Sequence, residues 1–592
     1  MDGLLNRANF SKKLNICIFL GILFIAFMAS LPLFIRGIEG RFGQDLGFHL
    51  MRIEGLAAEL EKGVFPVKME SLWMDGYGYP VSIYYGDAFL YIPAVLRILG
   101  VKVVTSYKIY VLLVNFFTAL IGYVCFRGIL KIKCGNAYIR MNDVSDESGR
   151  MTGEDRAINR IDLMALAMSA VYTTASYRYA NVYIRAAVGE YTAMMFLPVV
   201  ALAMYRIYGE EKGESLRRRF KNATLLALSF TGILASHMLT LEMVGLTLVV
   251  VAILYFKRTF SKEIFSTLVV AGIETVLLNL YFIVPFIDYY LNVDVNINAV
   301  VGNARQIQNS GAAILRLFRF YESPFQHGAD SGSLLTTPGI ILLIVLIASV
   351  ILFILELLQK EKKYSYDFKV LTGIATVLTF MTTAHFPWNA FATCCKLGDL
   401  MAQVQFPWRY FSIIDILLSV MLGEILLKLD DEKLIKGFVA VILVLTAALS
   451  LLFTVQYNAG AEKVYYANRE DLNTSDMGFI EYLRAGTVRE DFDYERHVFE
   501  DGTVEEPILN YKGYQAIATT NQGEEMLLDI TDGTNNVIKY TLPEGFEGEV
   551  EVVFKQPSYW IIAEIVSVMT FLLVLALCIL YKKQLLTGEC DQ

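Results

Sequence analysis

Charged residues are scarce in this chain. Asp, Glu, Lys and Arg make up 19% of its 592 residues, against about 25% in an average soluble protein. A soluble chain of this length would divide into several domains, each with its own polar surface. This composition does not supply those surfaces, which excludes a soluble enzyme, a secreted module or a disordered scaffold as readings of the whole chain. An excess of basic residues is also missing. The net charge is −8, and nothing points to nucleic acid. Cysteine carries no pattern: the seven are scattered, with no C-x-x-C and no His at zinc-ligand spacing. The adjacent Cys394–Cys395 pair reads as two free thiols sooner than as a strained vicinal disulfide. No small-residue cleavage site follows the first apolar run, which lies behind Lys12 and Lys13 and is longer than a signal-peptide core. It reads as a retained signal anchor.

What the chain has in abundance is apolar length. Hydrophobic residues reach 55%, with a mean hydropathy of +0.48, and they gather in runs near the ~20 residues that cross a bilayer. The runs predict about twelve spans, at 13–35, 107–130, 161–180, 188–208, 222–237, 239–256, 264–287, 337–358, 369–386, 409–427, 435–455 and 558–581. The stretch 82–99 is apolar too, but it holds Tyr84, Tyr85, Asp87, Tyr91, Pro93 and Arg97. If it crossed, most basic loops would fall outside. If it does not, 131–160, 206–221 (with Arg217, Arg218 and Arg219), Lys360–Lys363 and Lys582–Lys583 all fall inside, as the positive-inside rule asks. We therefore expect 82–99 to be a surface or re-entrant helix and both termini to be cytoplasmic. The outside then receives a long first loop, 36–106, the loops 288–336 and 387–408, and the segment 456–557. That segment holds 21 Asp and Glu against 8 Lys and Arg. Its end alternates like a strand, with Glu549 and Glu551 between Val550, Val552 and Val553, and glycine turns at Asp532–Gly533 and Glu544–Gly545 punctuate it. The expected architecture is an all-α polytopic membrane domain over 1–455, a small β-rich acidic domain over 456–557, and a final span with its tail over 558–592.

The first loop opens with Gly43-Gln44-Asp45-Leu46-Gly47-Phe48-His49-Leu50-Met51-Arg52-Ile53. At helical spacing Asp45, His49 and Arg52 share one face, while Leu46, Leu50, Ile53, Ala57 and Leu60 form another. This predicts an amphipathic helix lying at the membrane interface. An aromatic and glycine loop follows, Trp73-Met74-Asp75-Gly76-Tyr77-Gly78-Tyr79-Pro80, running on to Tyr84-Tyr85-Gly86. Further motifs are Tyr177-Arg178, Tyr183-Ile184-Arg185-Ala186-Ala187-Val188-Gly189-Glu190-Tyr191, Ala235-Ser236-His237, Gln405-Phe406-Pro407-Trp408-Arg409 and Gly478-Phe479-Ile480-Glu481-Tyr482-Leu483.

On these residues, with an acidic residue just after the first span and a long first outer loop, the chain resembles the GT-C glycosyltransferases. It more closely resembles the bacterial membrane proteins labelled 6-pyruvoyl-tetrahydropterin synthase-related and their YfhO-like relatives. The resemblance runs nearly end to end. It implies a GT-C-like fold and places Asp45 at the catalytic acidic position, as base or acceptor-orienting group. In some members that residue ligates a divalent metal such as Mg or Mn. Many carry a second acidic residue in the first loop, for which Asp75 or Asp87 stand here. The implied partners are the lipid bilayer, a polyprenyl-phosphate-linked sugar and a cell-envelope acceptor: a glycopolymer such as a teichoic acid, a glycolipid or a protein.

The residue types suit that chemistry. An outward-facing site cannot draw on cytoplasmic nucleotide sugars, so an activated sugar must arrive on a membrane carrier. Its phosphate leaves as a stable anion and needs electrostatic stabilisation, so one carboxylate suffices to deprotonate the acceptor hydroxyl, unlike the two of glycoside hydrolases. Arginines at membrane depth would hold the phosphate in forked, charge-assisted bonds. The candidates are Asp45 and Glu190 for catalysis, and His49, Arg52, Tyr79, Tyr84, Arg178, Arg185, His237, Arg305, His385 and Arg409 for substrate. Plainer readings stand beside them. The Asp/His/Arg face reads also as a solvated face, and Glu190 as the ion-pair partner of Arg185. His237 and His385 read as helix-end hydrogen bonders, and Phe406–Arg409 as an aromatic anchor with a snorkelling arginine. Glu242, Glu274, Asp415 and Glu424 read as inter-helix pairing partners. A lipid-linked sugar flippase and a non-catalytic envelope assembly factor are the competing functions. The absence of an internal repeat of spans weighs against the flippase.

Overall fold

The computed structural model describes residues 2–34, 40–41, 43–140, 153–296, 307–318, 337–359, 364–429, 431–460, 463–464, 472 and 480–587. Among them, eight helices are long and apolar enough to cross a membrane: Asn15–Leu33, Val103–Cys134, Val188–Tyr208, Lys262–Asn292, Ile340–Gln359, Pro407–Leu427, Glu432–Ala459 and Ser558–Leu580. The chain is an α-rich membrane protein. The eight coincide with eight of the twelve expected spans. The other four positions also fold as helices. Met238–Leu254 has 17 residues and Tyr366–Met381 has 16, short of the ~20 that bridge a bilayer unaided. Gly153–Thr173 and Leu216–Leu234 carry charge clusters, among them Arg160 with Asp162 and Arg217–Arg219. The stretch 82–99 does not form one span. It breaks into the short helices Val81–Tyr84 and Tyr91–Ile98.

The chain divides into two compact units that cut across its order. One comprises 1–46, 108–272 and 305–464; the other comprises 47–107, 273–304 and 465–592.

The first unit is a helical body. Gly153–Thr173 packs against Asp2–Ser30, Phe411–Leu427 and Glu432–Gly460, and Leu197–Tyr208 packs against Leu216–Leu234. Phe411–Leu427 is apolar apart from Asp415, Glu424 and two serines and sits at the centre, with 83% of its spanning window buried, as a largely hydrophobic helix requires. Its C-terminal carbonyls are capped from another helix. Arg160 donates to Leu427 O at 3.2 Å and to Leu429 O at 2.6 Å, a cation placed where the helix dipole is negative. Cys394 and Cys395 are free thiols.

The second unit contains the β structure expected near the C-terminus. All pairings are antiparallel. One sheet orders His497–Val498, Thr503–Leu509, Val537–Thr541 and Thr531–Asp532. The other flanks Tyr514–Thr520 with Glu525–Leu528 and Gly548–Phe554. Val504, Ala516, Ile538 and Tyr540 form their shared core. The aromatic first-loop segment is stitched to this region. Tyr77 stacks on Phe492 with ring centres 3.9 Å apart and accepts the Leu509 amide on its carbonyl. The Tyr79 hydroxyl accepts the Tyr482 amide at 3.0 Å. The final span, Ser558–Leu580, has only 17% of its window buried. Its exposed row, Ile561, Ile562, Ile565, Val568 and Met569, is a surface that lipid satisfies and water does not.

One expectation is corrected here. The helix after the first span runs Leu46–Glu61, so Asp45 lies just outside it. It is not a half-solvated interfacial helix. His49 and Arg52 on its polar face, and Glu54 on the opposite side, are as buried as Leu50 and Ile53. Helical periodicity identifies which residues share a face, but not what covers that face. The cover includes the aromatic segment: Gly55 faces Glu70, whose carboxyl is bonded by Trp73 Nε1 at 2.6 Å and Ser82 Oγ at 2.8 Å. A Cβ on Gly55 would stand 1.9 Å from Glu70 Oε2. In an open helix Gly→Ala stabilises by about 1 kcal/mol. Here the clash dominates, and Gly55→Ala will destabilise the protein by about 1–3 kcal/mol. The check is the thermal midpoint of the detergent-solubilised protein. An unchanged or raised midpoint would refute the close packing.

Candidate functional site

The site of the first unit is built on an interrupted helix. Gly153–Thr173 ends, Ser176–Tyr179 makes one turn, and Ala180–Arg185 winds as a π-helix. Ala186 then takes a left-handed conformation with φ 56° before Val188–Met194 begins. Single π-turns inside helices gather at functional positions. This one is braced by Asn181. Its side-chain oxygen accepts from Arg185 NH1 at 2.6 Å, and its carbonyl accepts the Ala187 amide at 2.8 Å.

The break brings Arg185 and Glu190 together. Arg185 NH1 donates to Glu190 Oε2 at 2.6 Å, and its guanidinium lies 4.6 Å over the Trp408 ring. Tyr177 donates to the other Glu190 oxygen. Arg409 Nε stands 3.8 Å from Glu190 Oε2, its NH1 donating to Val404 O at 3.2 Å. Glu190 is fully buried, so one carboxylate, with both oxygens engaged, holds two arginines from separate stretches of chain. The ion-pair reading of Glu190 is thus its observed geometry.

Asp45 joins this group through the backbone. The Gln44 amide donates to Ile184 O at 3.1 Å and the Asp45 amide to Arg185 O at 2.7 Å. Gly43 permits the approach, since a methyl there would stand 2.7 Å from Ala186 Cβ. Unlike Glu190, Asp45 keeps partial exposure. Burial raises its carboxyl above the ordinary aspartate value, against the pull of Arg185 and Arg409, and Glu190 adds to the rise. For Arg185, burial opposes the charge but Glu190 outweighs it, and the guanidinium stays ionised. His237 caps Met238–Leu254, its Nδ1 accepting the Thr240 amide at 3.3 Å, and lies within electrostatic range of Glu190 and Arg409. The helix-end reading therefore holds for His237, which also borders the site.

An apolar cavity of about 160 Å³ runs between the helices of this unit, lined by none of Asp45, Arg185, Glu190, His237 and Arg409. Leu197, seven residues after Glu190, Val244, seven after His237, and Ile413, four after Arg409, line it. Its far end is polar. There Asp367 accepts from Tyr255 at 2.6 Å and from Lys133 at 2.7 Å, and Lys133 also reaches Glu424 at 3.0 Å. Glu424 therefore pairs between helices, as its plainer reading expects.

The other candidates fall elsewhere. Arg178 is fully buried but turned away into structural bonds, to Asn115 at 2.7 Å, Thr118 at 3.1 Å and Thr173 O at 3.2 Å. His385 is exposed in a turn, and Arg305 lies outside the described residues. His49, Arg52, Tyr79 and Tyr84 belong to the second unit. There Arg52 is fully buried over Tyr85, 4.5 Å from the ring centre, and donates to Gly86 O at 2.9 Å. Among the described residues no three His, Cys, Asp or Glu side chains gather to hold an ion. Asp45 is thus the one offered ligand, and a full set for Mg or Mn is not assembled among them. Sequence reasoning quoted Tyr177 and Trp408 without assigning them to the site, and passed over Asn181 and Glu70. The spacing of Asn181 four residues before Arg185 was the available signal.

No protein-family model matches this chain, and no curated protein matches it.

Removing the Glu190 charge leaves two buried guanidiniums without their shared anion. Breaking one partner of a buried pair costs about 3–5 kcal/mol. Glu190→Gln should therefore lower stability by that order, and a Glu190→Gln/Arg185→Gln double variant should lose less than the sum of the singles. Thermal denaturation of the four proteins forms the cycle, and strict additivity would refute the coupling.

Proposed function

We propose that this protein is an integral-membrane glycosyltransferase of the GT-C type. It transfers a sugar from a polyprenyl-phosphate donor to an extracytoplasmic cell-envelope acceptor, a glycopolymer, a glycolipid or a protein. One observation carries the reading: a partly exposed carboxylate, Asp45, is fixed beside Arg185 and Arg409, in the helical body that also holds an apolar cavity between its membrane helices. A phosphate-bearing lipid presents the matching parts, an anion for the arginines and a hydrocarbon chain for the cavity. Both termini lie on the cytoplasmic side in this reading, and the site faces out.

The step follows from the residues. The Asp45 carboxylate takes the proton of the acceptor hydroxyl, whose oxygen attacks the anomeric carbon. The bond from that carbon to the phosphate oxygen breaks, and its electron pair leaves with the phosphate. Arg185 and Arg409 neutralise the charge that develops there. Glu190 is a positioning residue that orders both guanidiniums. The cavity alone would serve a lipid-linked sugar flippase equally well. The position of Asp45 favours transfer over that reading and over a non-catalytic assembly factor.

The test uses the full chain in liposomes with radiolabelled polyprenyl-phosphate sugars and a cell-envelope acceptor fraction. Wild type should transfer label, and Asp45→Asn, folded by thermal shift, should lose about 10²–10⁴-fold, the contribution of a positioned base. Equal transfer by both would remove Asp45 from catalysis. No transfer by either would favour the flippase or assembly-factor reading.

The pH profile gives a second check. The base acts deprotonated, and burial holds its value above the ordinary ~3.9 of aspartate. Transfer should therefore fall as pH drops through that raised value. Because Arg409 pulls the Asp45 value down, Arg409→Gln should move the acid limb to higher pH. A limb that stays in place would sever Arg409 from the base.

A further inference from the structure

The first unit carries two neighbouring thiols that the transfer site does not use. The short helices Trp388–Cys394 and Lys396–Ala402 meet at Cys395, which is extended, with φ −163° and ψ 159°. Cys394 and Cys395 are both exposed and lie between membrane spans. Cys17 and Cys578, the other exposed cysteines among the described residues, lie on spans. The Cys394 thiol stands within donating distance of Phe391 O, at 3.1 Å, and of Cys395 Sγ, at 3.5 Å. Cys395 Sγ also accepts the Gly398 amide at 3.4 Å, which caps the second helix. The turn is tightly closed, since a Cβ on Gly398 would stand 2.0 Å from Phe391 O. The capped helix runs into the turn that holds Arg409. There Tyr410 donates to Met401 O at 3.0 Å, and Arg409 NH1 donates to Val404 O at 3.2 Å.

The two sulfurs are not equivalent. Two donors, the Gly398 amide and the Cys394 thiol, face Cys395 Sγ, and hydrogen bonds to the charged form favour it. The Gly398 amide holds the Cys395 thiol below the ordinary cysteine value, and the bond to Cys395 raises that of Cys394. The thiolate is the nucleophilic form of cysteine. Cys395 is therefore placed to attack, and Cys394, in contact with it, to resolve. Adjacency adds a second property. Consecutive Cα atoms are ~3.8 Å apart, inside the ~4.4–6.8 Å that disulfides usually span. A bond between neighbours is thus more easily reduced than an ordinary one, and such labile disulfides are the regulatory and catalytic ones. Exposure leaves both sulfurs open to a partner.

We propose that Cys394 and Cys395 form a redox-active vicinal dithiol that exchanges with disulfide-bearing compounds. The Cys395 thiolate attacks one sulfur of the incoming disulfide. That S–S bond breaks, and its electron pair leaves with the other sulfur as a thiolate. Cys394 passes its proton to that thiolate and attacks Cys395 Sγ, and the mixed disulfide releases the second sulfur as a thiolate. The pair is oxidised by two electrons to a Cys394–Cys395 disulfide, and the incoming disulfide is reduced to its two thiol halves. The inference stands on this turn alone and does not rest on the transfer reading.

The experiment treats reduced full-length protein in nanodiscs with glutathione disulfide, quenches with N-ethylmaleimide and reads the digested peptides by mass spectrometry. In wild type the peptide carrying both cysteines should lose two hydrogens and take up no maleimide, and dithiothreitol should restore both thiols. Cys394→Ser removes the resolving sulfur and should halt at a mixed disulfide of glutathione on Cys395. Cys395→Ser keeps a side-chain acceptor for the Gly398 amide, which guards against misfolding. Its remaining Cys394 should react several-fold more slowly than Cys395 does in Cys394→Ser. The wild-type result needs neither variant, so a misfolded variant does not shield the proposal. Four results overturn it: both thiols stay open to maleimide; wild type accumulates mixed disulfides that do not resolve; the disulfide joins two copies of the chain; or Cys394 reacts as fast as Cys395.

Discussion

The carboxylate of Glu190 is the interaction on which the first unit's site depends. Two buried guanidiniums repel each other and are costly to desolvate. They are tolerable there because one buried anion, steadied by the Tyr177 hydroxyl, lies between them. The anion reaches that place only because the helix breaks. The π-turn at Ala180–Arg185 and the left-handed Ala186 point Arg185 back toward Glu190. The same break presents the Ile184 and Arg185 carbonyls to the amides of Gln44 and Asp45. Local strain, the buried pair and the placement of Asp45 are thus one arrangement, and none of its parts would stand without the others.

This arrangement divides labour between two carboxylates. Glu190 has both oxygens engaged and is fully buried. Asp45 is held by its backbone, so its side chain is not consumed by the act of positioning it. Burial raises the proton affinity of its carboxylate, which is what a base needs, while the neighbouring arginines keep that rise in check. In the proposed reading one acid anchors cations and the other handles protons, roles that need opposite environments, and Glu190 and Asp45 are held in such environments.

Much of this was legible in the sequence. Eight apolar runs are helices of spanning length, and the alternation around Glu549–Val553 is a strand in a three-stranded sheet. Arg185 with Glu190 and the segment ending in Arg409 were also readable, because charges inside apolar runs are conspicuous. What could not be read was set by tertiary cover. Asp45, His49 and Arg52 fall on one helical face by periodicity, but Asp45 precedes the helix and the other two are buried under an aromatic segment distant in sequence. The π-turn that makes the site has no pattern of its own, since it depends on Asn181 finding both Arg185 and the Ala187 amide.

Arginine shows most clearly where pattern ends and bonding begins. Arg178 and Arg52 are each a cation in a largely apolar stretch, and both are completely buried. Arg178 spends its terminal nitrogens on Asn115, Thr118 and Thr173, residues of the same helical body. It fastens helices, and substrate would have to displace those bonds to reach it. Arg52 donates to the Gly86 carbonyl, lies over the Tyr85 ring and leaves two nitrogens without a hydrogen-bond acceptor. Burial alone does not separate a structural cation from a ligand-binding one. The difference lies in how many of its donors the fold has already used.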